Sequence, residues 1–287
     1  MDRRIFNQTQ KRGLSALSPR PALGSLDIER QRIYALWDEL ADFESQQVDA
    51  AADHLMRALC ELGRAQNATW ISGVRMDPKD DALAGWRVPV VRTLHAAAPE
   101  KTADRTRSIS QKWERRAPEP AFLESVRGAG RFRHHSLRRA MPARWFEEEH
   151  WQRHYAACGV HDVLFVGFPL TSDAESHFSL VRSGSEEAFT DEDIAPVCEA
   201  LRGIKWFHRR LMISHGQLLA SAPLTASDRN VLQALLSGAA EKAIADALGL
   251  TYATTHQYVK KVFRKFGVRS RAELMSIWGG GNPRRAS

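Results

Sequence analysis

The sequence is poor in cysteine, has no long apolar run and begins without the apolar segment of a secretory signal. Its three cysteines, Cys60, Cys158 and Cys198, are far apart and form no CxxC pair, which argues against a structural zinc site and a disulfide framework. No apolar stretch approaches the roughly 18 residues that a membrane span needs, and the first residues, MDRRIFNQTQKRG, are mostly polar. We therefore expect a cytoplasmic protein without a membrane partner.

Motifs of the common enzyme classes are also absent. The sequence contains no phosphate-binding loop, GxSxG motif, HExxH motif or dinucleotide-binding glycine pattern. His150 and His154 are four residues apart and could share a helix face, but two side chains do not define a metal site. We expect a protein that is not an enzyme and that holds neither a metal nor a cofactor.

Positive charge is in excess. The chain has 41 lysines and arginines against 34 acidic residues, a formal charge of +7. This balance favours polyanionic partners. The length of 287 residues suits about two domains.

The spacing of apolar residues predicts helices and strands in the amino-terminal part. Helical spacing over 26–62 predicts one long helix or two, closed by Gly63. Four strands are predicted, the second weakened by Pro89, and a further long helix begins after Thr190, a suitable N-cap. The strands are at 68–76, 86–94, 161–170 and 176–182, with a turn at 171–173 between the last two. We therefore expect an α+β domain.

The segment 224–278 predicts four short helices. Thr225 and Asp228 form a variant of the capping box at the start of the first helix. A second helix ends at a tight turn that contains Gly249, and Thr251 caps the third helix. This order is typical of a helix-turn-helix.

The third of these helices has an apolar face and a polar, cationic face. Hydroxyl groups and an imidazole near its start can reach base edges in the major groove, and cations further along suit phosphates. We predict sequence-specific DNA binding by helix 254–266. The predicted DNA-binding residues are Thr251, Thr254, Thr255, His256, Tyr258, Lys260, Lys261, Arg264 and Lys265.

This segment, about a fifth of the chain, resembles the LuxR-type (GerE- or NarL-type) DNA-binding domain over its whole length. The matching residues are Leu224-Thr225, Asp228, Val231-Leu232, Gly238, Lys242, Ile244-Ala245, Leu248-Gly249, Thr251, Thr254, Val262, Arg264-Lys265, Gly267-Val268 and Ser270-Arg271. The resemblance implies that the third helix reads the major groove and that the fourth, 271–278, pairs two subunits. The sequence departs from the family pattern at Ala243, Thr255, His256 and Tyr258. Since Thr255 and His256 are expected on the reading surface, these departures are expected to change the operator sequence that is bound and not the fold.

The larger amino-terminal part is expected to sense a signal. Its order of elements and the sequence FTDEDIAPVCEAL at 189–201 resemble GAF and PAS domains. A phosphorylated receiver is disfavoured, because the acidic pair Asp80-Asp81 falls in a loop and not at the end of a strand. Several aromatic residues either line a ligand pocket or fill the core. These candidates are Trp70, Trp86, Trp145, Trp151 and Tyr155.

The nature of the signal has alternatives. Trp151, Tyr155 and Asp162 follow one another in an order similar to the acyl-homoserine-lactone pocket motif of quorum-sensing regulators, although here they come near the end of the domain. We therefore keep three alternatives. The chain binds an unidentified small effector, it binds an acyl-homoserine lactone, or it is a constitutive DNA-binding dimer without a ligand.

Apolar residues on the helix after Thr190 recur in alternating steps of three and four. This pattern fits a dimer seam, with His208 and His215 on it, and it also fits packing of the helix on its own domain. The predicted dimerisation residues are Ile194, Val197, Leu201, Ile204, Leu211 and Leu218 on this helix and Leu274 and Trp278 on the last one.

These patterns together predict a homodimeric DNA-binding transcriptional regulator of the one-component type. Double-stranded operator DNA is the main expected partner, and RNA polymerase and a small-molecule effector are further candidates. The expected parts are a flexible basic arm at 1–25, an α+β sensory domain at 26–188, a long coupling and dimerisation helix at 189–220, an all-α helix-turn-helix domain at 221–282 and a tail at 283–287.

Overall fold

The computed structural model describes residues 23–75, 83–96, 120–184, 187–218 and 224–278. Most of the predicted arm at 1–25 and the whole of the predicted tail at 283–287 lie outside these residues. Within the described ranges, no helix is both long and apolar enough to cross a membrane.

The amino-terminal domain consists of one antiparallel sheet with helical segments packed on both of its faces. Its helices are α1 (Leu23–Asp42), α2 (Val48–Leu62), α3 (Pro120–Arg127), α4 (Leu137–Ala140), α5 (Glu149–His154), α6 (Asp191–Arg202) and α7 (Lys205–Ser214). Its strands are β1 (Asn67–Arg75), β2 (Trp86–Thr93), β3 (Arg133–Ser136), β4 (Val160–Thr171) and β5 (Ala174–Ser183). The helical spacing over 26–62 therefore corresponds to two helices, separated by a short 3-10 turn at Ser45–Gln47.

The five strands pair in the order β2-β1-β5-β4-β3, and every neighbouring pair is antiparallel. All four predicted strands are confirmed. β2 lies at an edge of the sheet. An edge strand tolerates Pro89, which has no backbone N–H to donate to a neighbouring strand. The sequence of β3, RHHS, carries no apolar alternation, and this strand was not predicted.

Side chains alternate between the two faces of the sheet. Trp70, Leu164 and Phe178 point to one face and join residues of α1, α2, α6 and α7 in the main core. Val163, Phe165 and Val181 point to the opposite face, in a second cluster with Trp145 and Trp151. The α+β fold class is therefore confirmed.

The predicted long helix at 189–220 is wrong, because α6 ends at Arg202 and α7 begins at Lys205. At the break, a Cβ on Gly203 would overlap the Trp37 ring, so only glycine lets the chain approach this indole. Thr190 does cap α6, in a capping box with Asp193.

The predicted dimer seam is also wrong for its first five residues. These residues are at most 4% exposed and lie in the main core of their own domain. They are Ile194, Val197, Leu201, Ile204 and Leu211. The alternating spacing thus reflects packing of α6 and α7 on the sheet and on α1 and α2. His208 is buried in the same core.

Candidate DNA-binding interface

Four helices form the carboxy-terminal domain: α8 (Ala226–Leu236), α9 (Glu241–Leu248), α10 (Tyr252–Phe266) and α11 (Arg271–Trp278). Its core contains side chains from all four. They are Val231, Leu232, Leu235, Leu236, Ile244, Val259, Val262, Phe266, Leu274 and Ile277, joined by Val268 from the segment after α10 and by Ile213 from α7. The predicted all-α four-helix domain is confirmed.

Local interactions set the ends of these helices. The predicted capping box is present, since the Thr225 side chain accepts from the Asp228 amide and the Asp228 carboxylate accepts from the Thr225 amide. Gly249 ends α9 in the left-handed conformation, with φ of 63°, which a side chain would strain. Thr251 then caps α10 by accepting from the Thr254 amide at 3.1 Å. α9, this turn and α10 are the helix-turn-helix.

A buried carboxylate holds α10 against α8. Asp228 is fully buried, and its oxygens lie 2.9 Å from the Lys261 ammonium and 2.8 Å from that of Lys265. Burial alone would raise the pKa of Asp228, but hydrogen bonds from Lys265, Lys261 and Thr225 outweigh it, so this pKa lies well below its usual range. Two of the predicted phosphate-binding lysines thus neutralise a charge inside the domain.

Lys265 and Lys261 differ in exposure. The Lys265 side chain is 12% exposed, and its contact with DNA stays a prediction. Lys261 is half-buried, with its ammonium 5.7 Å from the centre of the Tyr258 ring. Tyr258 itself packs against the core.

Thr255 does not lie on the reading surface, and this prediction is wrong. Its side chain is fully buried, and its hydroxyl donates to the carbonyl oxygen of Thr251 at 3.0 Å. The residue therefore closes the first turn of α10 from inside.

The exposed side of α10 carries Gln257, Lys260 and Arg264. With Ala253, they are spaced by four, three and four residues, which places them on one side of the helix. The buried side chains Val259, Val262 and Phe266 lie on the other side. This face offers an amide, an ammonium and a guanidinium to a ligand.

His256 lies at the edge of this face. Its Nδ1 atom is 2.9 Å from a carboxylate oxygen of Glu241, the first residue of α9. The ring is parallel to that of Tyr252, with centroids 6.3 Å apart. Thr251 and Thr254 are exposed at the start of the helix, so they remain predicted DNA contacts together with His256.

Residues 222–278 match the family model of the bacterial regulatory proteins of the luxR family. This segment is a luxR-family helix-turn-helix domain. The match covers only the carboxy-terminal part of the chain, the part that contains α8 to α11.

Solved structures similar to the chain are distant. The structure "SdiA in complex with octanoyl-rac-glycerol" is 10% identical with a TM-score of 0.44, covering 92% of this chain and 97% of that one. The VqsR LBD domain from Pseudomonas aeruginosa is 14% identical with a TM-score of 0.43, covering 64% and 95%. The crystal structure of Escherichia coli SdiA in the space group P6522 is 12% identical with a TM-score of 0.41, covering 90% and 98%. No curated protein matches the chain.

The fourth helix of the luxR-family domain has a buried and an exposed side. Leu274, predicted to dimerise, is fully buried in the domain's own core, so this prediction is wrong. Met275 is 45% exposed beside it. The side chain of Trp278 lies outside the described part of the chain.

The five candidate ligand-binding residues are divided between the two faces of the sheet. Trp145, Trp151 and Tyr155 form one aromatic cluster, with Trp151 and Tyr155 stacked at 4.9 Å and Trp145 5.2 Å from Trp151. Trp70 lies on the face that packs against α1, α2, α6 and α7, where its indole N–H donates to the Ser176 hydroxyl at 2.9 Å. Trp86 lies on the edge strand β2, under the Arg75 guanidinium. The structure therefore does not bring all five together.

Sequence reasoning missed two exposed residues of α10 with polar side chains, Tyr252 and Gln257. The signal for Gln257 was present, because the buried residues Val259, Val262 and Phe266 place it opposite the apolar side of the helix. Tyr252 carried no such signal, since an aromatic residue at a helix start usually packs inward, and here its side chain is 59% exposed.

Proposed function

We propose that the chain is a transcriptional regulator that binds operator DNA with α10 in the major groove. The observation that carries this proposal is the exposed face of α10 in a luxR-family domain. Its amide side chain, Gln257, is suited to the N6 and N7 atoms of adenine. Among the described residues, no carboxylate forms an ion pair with Lys260 or Arg264. Both side chains are therefore suited to phosphates or guanine edges. Lys261 and Lys265 instead support the position of the helix.

An operator selected from random DNA by the whole chain tests this assignment. Fluorescence anisotropy then measures the affinity of each variant for the selected operator and for single-base variants of it. We expect Gln257→Ala to lose about 1–3 kcal/mol of discrimination at one base pair and to bind the other sequences almost unchanged. His256→Ala is expected to behave in the same way if the ring contacts a base.

Lys260→Ala and Arg264→Ala measure the electrostatic part of the same interface. Each is expected to weaken binding to all sequences and, for a phosphate contact, to lower the slope of log affinity against log salt by about 1. Lys205→Ala is the matched control, because Lys205 is exposed at the start of α7 in the other domain. Equal affinities for wild type, Gln257→Ala, Lys260→Ala and Arg264→Ala would refute the proposed reading face.

We infer further that the amino-terminal domain binds a small effector beside its aromatic cluster, with an acyl-homoserine lactone as one alternative. Trp145 supports this proposal, because its side chain is 2% exposed and its indole N–H has no acceptor among the described residues. A buried donor without a partner costs about 1–3 kcal/mol, and a carbonyl oxygen of a ligand would satisfy it.

A thermal-shift titration with acyl-homoserine lactones of different chain lengths tests this second proposal. Trp145→Phe removes only the N–H and keeps an aromatic ring, so it should abolish a stabilisation seen in wild type. Trp206→Phe is the control, since Trp206 is exposed on α7. Stabilisation of the Trp145→Phe variant equal to that of wild type would exclude the Trp145 N–H as the contact.

We propose that the DNA-bound form is a homodimer paired through the exposed side of α11. Met275 is the one large apolar side chain exposed on this helix within the described residues. Met275→Glu is expected to convert a dimer to a monomer in sedimentation velocity while the far-UV spectrum is retained. An unchanged sedimentation coefficient would place the dimer contact elsewhere.

A further inference from the structure

The two domains share an apolar contact at the end of α7. Leu211 and Met212 lie in the core of the amino-terminal domain, whereas the next residue, Ile213, lies in the core of the luxR-family domain and is 2% exposed. Leu218 packs against both cores. The end of α7 therefore belongs to both domains, and their surfaces are in direct contact.

Four charged side chains lie at this junction. The Arg229 Nη2 atom on α8 is 2.6 Å from each carboxylate oxygen of Asp49, in the first turn of α2. Arg92 on β2 approaches the same carboxylate at 3.7 Å and binds Asp53 through two hydrogen bonds of 3.0 and 2.7 Å. Asp49, Asp53, Arg92 and Arg229 form an interdomain charge cluster with two charges of each sign.

The surroundings of the cluster favour its ion pairs. Isolated surface pairs contribute little, but pairs within a network that is partly removed from water contribute more. The Asp49 and Arg229 side chains are only 31% and 21% exposed. Asp49 also benefits from its place in the first turn of a helix. Beside the cluster, the pKa of the buried His215 is lowered to about 4 by desolvation and by Arg229, so this ring adds no positive charge at neutral pH.

We propose that the Asp49–Arg229 ion pair sets the orientation of the luxR-family domain on the amino-terminal domain, and that Arg92 couples this pair to the sheet edge. Gln257, Lys260 and Arg264 remain exposed while the pair is formed, so the contact orients the reading helix without covering it. A signal that shifts β2 or α2 would change the distance between Asp49 and Arg229 and so weaken or strengthen their ion pair. This regulatory role rests on the proposed function.

Single-molecule energy transfer in the full chain without DNA tests the orientation directly. One dye is attached to Cys158, which is exposed, and the other to a cysteine introduced by Ser237→Cys at the exposed end of α8. Burial raises the pKa of Cys60 to about 11 and that of Cys198 to about 12, so these thiols react slowly with maleimides at neutral pH.

Wild type is expected to give one narrow transfer peak. Asp49→Asn and Arg229→Gln should each raise the fraction of molecules outside that peak about fivefold, the factor that corresponds to about 1 kcal/mol for one ion pair. The double variant should show no further increase, because either single change already removes the pair. Arg229→Lys should restore much of the wild-type distribution, since one nitrogen makes both contacts.

The matched control is Arg139→Gln, which removes an arginine from an ion pair with Asp191 inside the amino-terminal domain and should leave the peak unchanged. Additive effects of the two single variants, or a wild-type peak in both, would overturn the proposal. Because the measurement needs no DNA, its failure is distinguishable from failure of the proposed operator binding.

Discussion

The buried histidine of α7 leads to a prediction about acid stability. His208 is fully buried, with Nδ1 2.8 Å from the Ser176 hydroxyl and Nε2 2.9 Å from the Leu201 carbonyl oxygen. The carbonyl can only accept, so Nε2 carries the proton and Nδ1 accepts from Ser176. Ser176 in turn accepts from the Trp70 indole at 2.9 Å. The neutral ring therefore satisfies a complete chain of hydrogen bonds, and a second proton on Nδ1 would break it.

The magnitude follows from the pKa. Burial lowers the pKa of His208 to about 4, opposed in part by the hydrogen bond to Leu201, against about 6.5 for an unfolded histidine. The unfolded chain therefore binds more protons than the folded one between these values. Stability is complete above about pH 6.5 and is lost as the pH falls towards 4, by about 2 kcal/mol at pH 5 from this one ring.

The test compares wild type with His208→Gln, which retains a donor and an acceptor but does not titrate. Urea unfolding at pH 7 and pH 5, followed by tryptophan fluorescence, gives the free energy of unfolding of each. We expect wild type to lose about 2 kcal/mol more than the variant over this interval. His135 and His215, whose pKa values burial also lowers to about 4, are present in both proteins and cancel.

His95→Gln is the control, because this side chain is exposed in the folded chain and should leave the acid loss at its wild-type size. If wild type and His208→Gln lose the same free energy between pH 7 and pH 5, the reasoning about the buried neutral ring is refuted.

Two further predictions concern the stability of the luxR-family domain. Asp228→Asn removes the charge that neutralises Lys261 and Lys265 and should lower the free energy of unfolding by about 2–3 kcal/mol, less than for a fully buried pair because Lys261 is half-exposed. Thermal unfolding of Asp228→Asn is compared with that of Asp246→Asn, a control at an exposed acid on α9. Equal melting temperatures of the two variants would contradict the prediction. Gly249→Ala should cost about 1 kcal/mol because φ is 63° while nothing lies near the added methyl group. Gly249→Asn should lower the stability less than Gly249→Ala in the same thermal unfolding experiment. The reverse order would contradict the conclusion that the loss comes from backbone strain.

The strands could be predicted wherever the sequence has an apolar β-branched and aromatic run or an alternating pattern. β3 could not, because its four residues are held by pairing with β4 rather than by their own pattern. The apolar spacing over 194–218 indicates a buried face, although these residues lie on two helices and the segment after them. The spacing does not show what this face packs against, because a dimer seam and a helix packed on its own domain need the same apolar residues. The structure shows that the face packs on its own sheet and helices.

The sequence by itself determined the helix-turn-helix, because its helix ends depend on contacts within a few residues: the Thr225–Asp228 box, the left-handed Gly249 and the Thr251 cap. Only the tertiary structure decided which polar side chains of α10 face solvent, since this depends on a buried carboxylate 33 and 37 residues before the two lysines that it binds. The same holds for the contact between the domains, where Asp49 meets an arginine 180 residues later. No local pattern encodes such pairs, because they form only when the chain has packed.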